Sequence, residues 1–136
     1  MPVYTCITVA KTLAEDTKAA LAAEITKIHS SITGAPTSFV HVVFQDLPAT
    51  NVFTDSSPSQ TLLINGLIRA GRADADKVRL AKDISSSSSR IAGIPERRIL
   101  VSLQEFQARF AVEYGRVLPE PDAEGDWLAE SNDLIR

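Results

Sequence analysis

The stretch that decides the fold is the first nine residues, Met1-Pro2-Val3-Tyr4-Thr5-Cys6-Ile7-Thr8-Val9. It is rich in β-branched residues, which predicts a strand at about residues 2–9 with proline at its start, where a missing N–H is tolerated. If the methionine is removed, Pro2 becomes a terminal secondary amine fixed at the edge of a sheet. Because an α-amino group titrates at about pH 8, modest desolvation or a nearby charge can make it an acid or a base at neutral pH.

The sequence repeats itself at a shift of 59 residues, which aligns Gly34-Ala35-Pro36 with Gly93-Ile94-Pro95. Each half predicts a strand, a helix, a Gly-x-Pro break and a second strand. A capping box formed by Thr12 and Glu15 marks the start of the first helix. The predicted elements are a strand at about 2–9, a helix ending at Gly34 and a strand at about 39–46, followed by a strand at about 61–68, a helix at about 74–91 and a strand at about 98–104.

Two β-α-β units in tandem imply right-handed crossovers and parallel pairing within each unit. We therefore predict an α/β (α+β) fold with a four-stranded sheet and two helices on one face. The chain is expected to be a single domain over 1–136, with repeats at about 2–46 and 61–105, a linker at 47–60 and a C-terminal arm at about 106–136. Because strand residues of both parities are apolar, the second sheet face is expected to be buried by self-association.

Composition excludes several classes of function. A chain of 136 residues with 44% apolar content can form a core, while a net charge of −3 and a pI near 5.3 argue against nucleic-acid or anionic-membrane partners. One cysteine excludes an intramolecular disulfide, and two histidines with one cysteine argue against a zinc site. No membrane span or signal peptide is recognised, so a cytoplasmic protein without metal or cofactor is expected.

Few residues carry chemistry on their own. Arg69 and Arg72 follow the third strand and could clamp a carboxylate beside a helix N-terminus, or be solvated surface arginines. His29 lies near the end of the first helix, where histidines often only complement the helix dipole. His41 is expected to be structural, and Glu113 by itself predicts a solvent-facing side chain. The five serines at 85–89 predict a weakened second helix.

In order along the chain, these features resemble the tautomerase superfamily, and within it the cis-3-chloroacrylic acid dehalogenase group, over Met1 to Trp127. The resemblance rests on Met1-Pro2-Val3-Tyr4, Ile25-Thr26 with His29, Asn51-Val52-Phe53, Gly66-Leu67 with Arg69 and Gly71-Arg72, Val112-Glu113-Tyr114-Gly115-Arg116, Leu118-Pro119, Pro121, Glu124-Gly125 and Trp127. The internal repeat is also what that architecture requires.

The resemblance implies that Pro2 is the processed terminus and donates a proton to the substrate. It implies that Arg69 and Arg72 bind a substrate carboxylate with help from His29, and that Glu113 activates water. Ser102 stands where the dehalogenase has a tyrosine that orients this water, and serine does not reach as far. The resemblance also implies a homotrimer.

Three functions follow as hypotheses. The first is a cis-3-chloroacrylic acid dehalogenase homologue that adds water to small unsaturated carboxylic acids. The second, favoured by Ser102, is a keto-enol tautomerase of phenylpyruvate-like 2-oxo acids. The third is a non-catalytic protein that binds small acids, which retention of Met1 would favour.

Overall fold

The computed structural model describes residues 1–134, so the last two residues of the predicted arm lie outside it. The main elements of the first repeat are β1 (Val3–Val9), α1 (Glu15–Thr33) and β2 (His41–Leu47), followed by the short strands β3 (Phe53–Thr54) and β4 (Ser57–Pro58). The second repeat has β5 (Leu62–Arg69), α2 (Asp74–Ala92) and β6 (Ile99–Phe106), then the short strands β7 (Val112–Glu113) and β8 (Arg116–Val117), and the helix α3 (Glu124–Leu134).

The central sheet has the strand order β2-β1-β5-β6. Strand β1 pairs in parallel with β2, and β5 in parallel with β6, while β1 and β5 are antiparallel at the centre. Parallel pairing within each β-α-β unit is thus confirmed, as are the four-stranded sheet and the mixed α/β class. The antiparallel centre places the start of β1 beside the end of β5, where Val3 pairs with Leu67.

The two Gly-x-Pro breaks end the helices as predicted. Gly34 and Gly93 adopt left-handed conformations with φ of 76° and 69° and cap α1 and α2. The predicted capping box is wrong, because α1 begins after Ala14, which makes no side-chain cap, so Thr12 lies too early to reach it. The serine run does not interrupt α2, which continues through Ala92 with Ser88 buried.

The repeat extends further than the sequence prediction placed it. Residues 47–60, expected as a linker, contain a 3-10 turn and the β3–β4 hairpin, and the start of the predicted arm contains the equivalent turn and the β7–β8 hairpin. The same 59-residue shift relates the two hairpins, since Phe53–Thr54 corresponds to Val112–Glu113. Glu113 therefore lies on an ordered hairpin rather than on an extended tail.

Two apolar clusters hold the fold together. The main core lies between the sheet and helices α1 and α2, and its fully buried members include Tyr4, Leu21, Ile64 and Ile84. A second cluster consists of Met1, Phe39, Ala108, Leu118 and Trp127. This second cluster joins the amino terminus to the hairpin region and to α3.

The sheet face opposite the helices is open in the single chain. Val43 and Leu100 on this face are 44% and 58% exposed. Burial of this face by self-association stays a prediction. No helix within residues 1–134 is long and apolar enough to cross a membrane.

Candidate active site

The amino terminus is buried inside the fold. Met1 is 4% exposed, and its amine donates to the Phe39 carbonyl at 2.8 Å and to Glu113 Oε2 at 3.3 Å. Burial lowers the pKa of this amine from its usual 8.0, Glu113 acts in the opposite direction, and Arg69 adds to the lowering. Pro2, which is also fully buried, follows directly and lies at the start of β1.

A pocket of about 550 Å³ opens beside Met1. Its wall combines apolar side chains with the ionisable residues His41 and Glu113, and its apolar members include Val3, Leu67, Phe106 and Leu118. A volume of this size suits a small organic molecule. The side chain of Met1 lines the pocket, so removal of Met1 would enlarge it at the position of Pro2.

Glu113 has two partners, one on each carboxylate oxygen. Oε2 faces the Met1 amine, and Oε1 lies 2.9 Å from His41 Nε2. The expectation that Glu113 is simply solvent-facing is wrong, because its side chain is only 24% exposed and both oxygens are engaged. His41, which the sequence predicts to be structural, presents its imidazole to the pocket and to Glu113. Sequence reasoning missed this pair because 72 residues separate its members.

His29 is buried under the first strand and paired with Tyr4. The Tyr4 hydroxyl lies 2.8 Å from His29 Nδ1, and the two rings meet edge to face. Burial, followed by the charges of Arg72, the amino terminus and Arg69, lowers the pKa of His29 to about 3. Burial also raises the pKa of Tyr4, so its hydroxyl keeps its proton at pH 7. His29 is neutral at pH 7, and its tautomer decides which of the two groups donates the hydrogen bond.

Arg69 and Arg72 lie together and share a carboxylate from α3. Arg69, 3% exposed, donates to the Pro119 carbonyl at 2.7 Å and to Glu124 Oε1 at 2.5 Å. Arg72 donates to the Thr33 carbonyl at 2.6 Å and lies 3.8 Å from the same Glu124 oxygen. The alternative that Arg69 and Arg72 are solvated surface arginines is therefore excluded.

Two cations held this closely still favour a further anion. Burial, and next the charge of Arg69, lower the pKa of Arg72, whereas Glu124 opposes this shift. Glu124 provides one carboxylate for two guanidinium groups. The motif Glu124-Gly125 in the sequence does not by itself predict the contact of Glu124 with the two arginines.

Ser102 is separated from this group of residues. It lies on β6, the edge strand at the far side of the sheet from β2, and its hydroxyl is 3.4 Å from Asn65 Oδ1. Ser102 does not line the pocket beside Met1, and its hydrogen bond is to Asn65 rather than to Glu113.

The structure thus brings together Pro2, His29, Arg69, Arg72 and Glu113 around the amino terminus, and leaves Ser102 outside. A terminal amine, a carboxylate and a nearby cationic pair are the kinds of group that acid-base chemistry on a small anion requires, and of these Met1 and Glu113 line the pocket. Within the described residues 1–134, no group of three His, Cys, Asp or Glu side chains could hold a metal ion.

Comparison with known families agrees with this class of site. A family model described as putative oxalocrotonate tautomerase enzyme matches residues 1–132. The chain belongs to this tautomerase family, and the resemblance to the tautomerase superfamily and its dehalogenase-like group is confirmed. No curated protein matches the chain by sequence.

Solved structures extend this result. The crystal structure of a member of the cis-3-chloroacrylic acid dehalogenase family has a TM-score of 0.91 and 29% identity, and the match covers 96% of this chain and 99% of that one. Native Ps01740 is 35% identical with a TM-score of 0.80, over 82% of this chain and 99% of that one. A wild-type fused 4-OT, an asymmetric trimer, is 22% identical with a TM-score of 0.79, over 85% and 94% of the two chains, and shows the fold alone.

Proposed function

We propose that this chain, after removal of Met1, is an enzyme that uses the amine of Pro2 to add water to small unsaturated carboxylic acids, as in cis-3-chloroacrylic acid dehalogenation. The observation that carries the proposal is the position of the amino terminus. It lies 3.3 Å from Glu113 and close enough to Arg69 for that charge to lower the pKa of its amine. An acid-base group, a carboxylate and a cation therefore surround one small space.

The substrate carboxylate would bind Arg69 and Arg72, with His29 assisting as a neutral donor. Their fixed contacts with main-chain carbonyls hold both guanidinium groups in place before a ligand arrives. Neutralising the carboxylate makes the β-carbon of a conjugated acid more electrophilic, since the charge that develops in the transition state is stabilised. Glu124 would then share the arginine pair with the substrate.

Removal of Met1 would supply both the space and the reactive amine. Methionine fills the position beside Pro2, and burial is the largest cause that lowers the pKa of its amine. Once this position admits water and substrate, the burial penalty falls while the attraction of Glu113 remains. This combination favours the cationic form of Pro2, which is the form that donates a proton to the α-carbon.

Glu113 would act as the general base. Its Oε2 faces the space that Met1 occupies, so it could take a proton from a water molecule that attacks the β-carbon. A chloride at that carbon would leave after the addition. Pro2 and Glu113 would thus act at opposite ends of the same double bond.

A trimer would complete the site. The fused 4-OT neighbour is described as a trimer, and the open sheet face of this chain exposes Leu67 and Val43. If a residue at position 102 contributes to the site, it would come from another copy, because Ser102 does not line the pocket of its own chain. We therefore propose a homotrimer, with pockets near subunit boundaries.

The experiment is a substrate panel of cis- and trans-3-chloroacrylate, 2-oxo-3-pentynoate and phenylenolpyruvate, run on protein whose intact mass shows removal of Met1. Pro2→Ala should lower kcat for cis-3-chloroacrylate by at least about 100-fold. Because alanine at this position keeps a primary α-amine, equal turnover by Pro2→Ala would refute a specific role for the secondary amine of proline. Binding of the acids without turnover would support a non-catalytic acid-binding protein instead.

A second candidate is keto-enol tautomerisation of phenylpyruvate-like acids. Ser102 favours it, because tautomerisation needs no water oriented by a tyrosine at that position, and a neutral Pro2 can act as the base that moves the proton. Glu113→Gln separates the two functions, since only hydration needs an activated water. The ratio of hydration to tautomerisation should fall at least about 100-fold in this variant, and an unchanged ratio would refute the assignment of the base to Glu113.

A further inference from the structure

The carboxylate assigned to water activation is held by a histidine that the resemblance does not place in the site. We infer that His41 is a positioning residue for Glu113, which fixes Oε1 so that Oε2 is the oxygen that accepts the proton from water. This inference rests on the proposed hydration and names the group that prepares its general base.

His41 connects the two ends of the proposed chemistry. Its backbone N–H donates to the Pro2 carbonyl at 3.0 Å, and its imidazole Nε2 lies 2.9 Å from Glu113 Oε1. It is the first residue of β2, where it pairs with Val3 of β1. One residue therefore fixes the distance between the proline and the carboxylate.

A partner such as His41 matters for Glu113 because Glu113 lies on a short hairpin. It belongs to the β7–β8 hairpin, which has two residues in each strand and is not part of the central sheet. The hairpin also contacts α3, where Trp127 Nε1 donates to the Val117 carbonyl at 2.8 Å and the Trp127 ring stacks on Tyr114. The contact with His41 links the Glu113 carboxylate itself to the four-stranded sheet, so the carboxylate keeps one orientation.

The protonation of the pair follows from its chemistry. An ionised carboxylate only accepts hydrogen bonds, so His41 Nε2 carries a proton and donates it to Oε1. Oε2 contacts the Met1 amine and is released when Met1 is removed. In the hydration step, water loses a proton to Oε2 and its oxygen bonds to the β-carbon, the π bond breaks and the α-carbon takes the proton of Pro2, while His41 makes and breaks no covalent bond.

The contact between His41 and Glu113 also compensates for the serine that stands at position 102 in place of a tyrosine. Ser102, which stands where the dehalogenase has a tyrosine, lies on the edge strand opposite that of His41 and interacts with Asn65. His41 supplies from the same chain a donor for the carboxylate. Hydration can therefore be retained although residue 102 is too short to orient the base.

The test compares three variants of the processed protein. His41→Phe removes the donor and keeps a ring, and should lower kcat for hydration by about 10- to 100-fold with little change in KM. His41→Gln keeps an N–H donor and should restore kcat to within a few fold. Gln45→Ala, on the same exposed face of β2, is the matched control and should leave kcat unchanged.

Wild-type kcat in His41→Phe would overturn the inference, and so would a His41→Gln variant as slow as His41→Phe. A processed wild type that does not hydrate any acid would instead refute the proposed function. In that case the NMR signals of the ring nitrogens test whether His41 is hydrogen-bonded to Glu113. The chain has two histidines, so assignment is direct. Glu113→Gln should change the His41 ring signals, and an unchanged spectrum would overturn the pair.

Discussion

The Tyr4 hydroxyl lies 2.8 Å from His29 Nδ1, and this hydrogen bond ties β1 to a histidine that is almost fully buried. Tyr4 lies on β1, two residues after Pro2, so the same strand that positions the amine also positions the histidine. Because both side chains are buried, each depends on the other for this hydrogen bond.

We predict that Tyr4→Phe destabilises the protein and weakens acid binding. Loss of the hydroxyl leaves His29 Nδ1 buried and unpaired, which should lower the free energy of unfolding by about 1–3 kcal/mol. KM for the acid substrate should rise more than kcat falls, because His29 binds substrate and does not transfer the proton. Urea unfolding and steady-state kinetics test this, and unchanged stability together with unchanged KM would contradict it.

Gly66 is predicted to be essential to the position of Tyr4. A Cβ at this residue would lie 2.6 Å from Tyr4 Cε1 and 2.8 Å from Leu103 Cδ2, both closer than packing allows. Gly66→Ala should therefore cost about 1–3 kcal/mol in stability and reduce substrate binding through His29. Gly125→Ala is the control, because a Cβ there meets nothing within 4 Å. Equal stability of the two variants would contradict the predicted close contact.

The stability of the protein should fall in acid because of His29. Its pKa is lowered from 6.5 to about 3, so between these pH values the unfolded chain binds a proton that the folded chain does not. The free energy of unfolding should decrease as pH falls through this window, by up to about 1.4 kcal/mol per pH unit from this residue. His29→Gln should flatten the curve relative to wild type, measured by urea unfolding. Parallel curves for the two proteins would show that His29 does not contribute.

Glu124 is predicted to be the main internal counter-ion of the arginine pair. Glu124→Gln removes the carboxylate that contacts both Arg69 and Arg72, leaving the more distant Asp122 and Asp76 to oppose the charge of Arg72, and should lower stability by about 3–5 kcal/mol. Glu130→Gln, in an exposed pair with Arg116, should cost no more than about 1 kcal/mol.

A small carboxylate ligand should then raise the melting temperature of Glu124→Gln more than that of wild type, since it replaces the missing charge. Thermal unfolding with and without the ligand provides the measurement. A smaller shift in the variant would mean that Glu124 helps to build the acid site rather than sharing it.

Much of the fold could be predicted because the local sequence signals and the 59-residue repeat indicated the same strands and helices. The β-branched run from Val3 to Val9 and the glycines at 34 and 93 carry their structural meaning in a few residues each. The helix α3 was not predicted, since its eleven residues lack a marked apolar periodicity and depend on the burial of Trp127.

The candidate site was only partly predictable for a different reason. Arg69 and Arg72 lie close in sequence, so their pairing could be inferred. The contacts of His41 with Glu113 and of Arg69 with Glu124 join residues 72 and 55 positions apart, and no local pattern encodes them. Long-range pairs of this kind appear only when the chain is folded.

The most direct test of this account is kcat/KM for cis-3-chloroacrylate and for phenylenolpyruvate, measured on the chain with Met1 removed and on the same chain with Met1 retained, each verified by intact mass. We predict that the processed form is at least about 100-fold more active on one of these acids, because only it has a free Pro2 amine beside Glu113 and Arg69. Equal activity of the two forms would contradict the central role of Pro2.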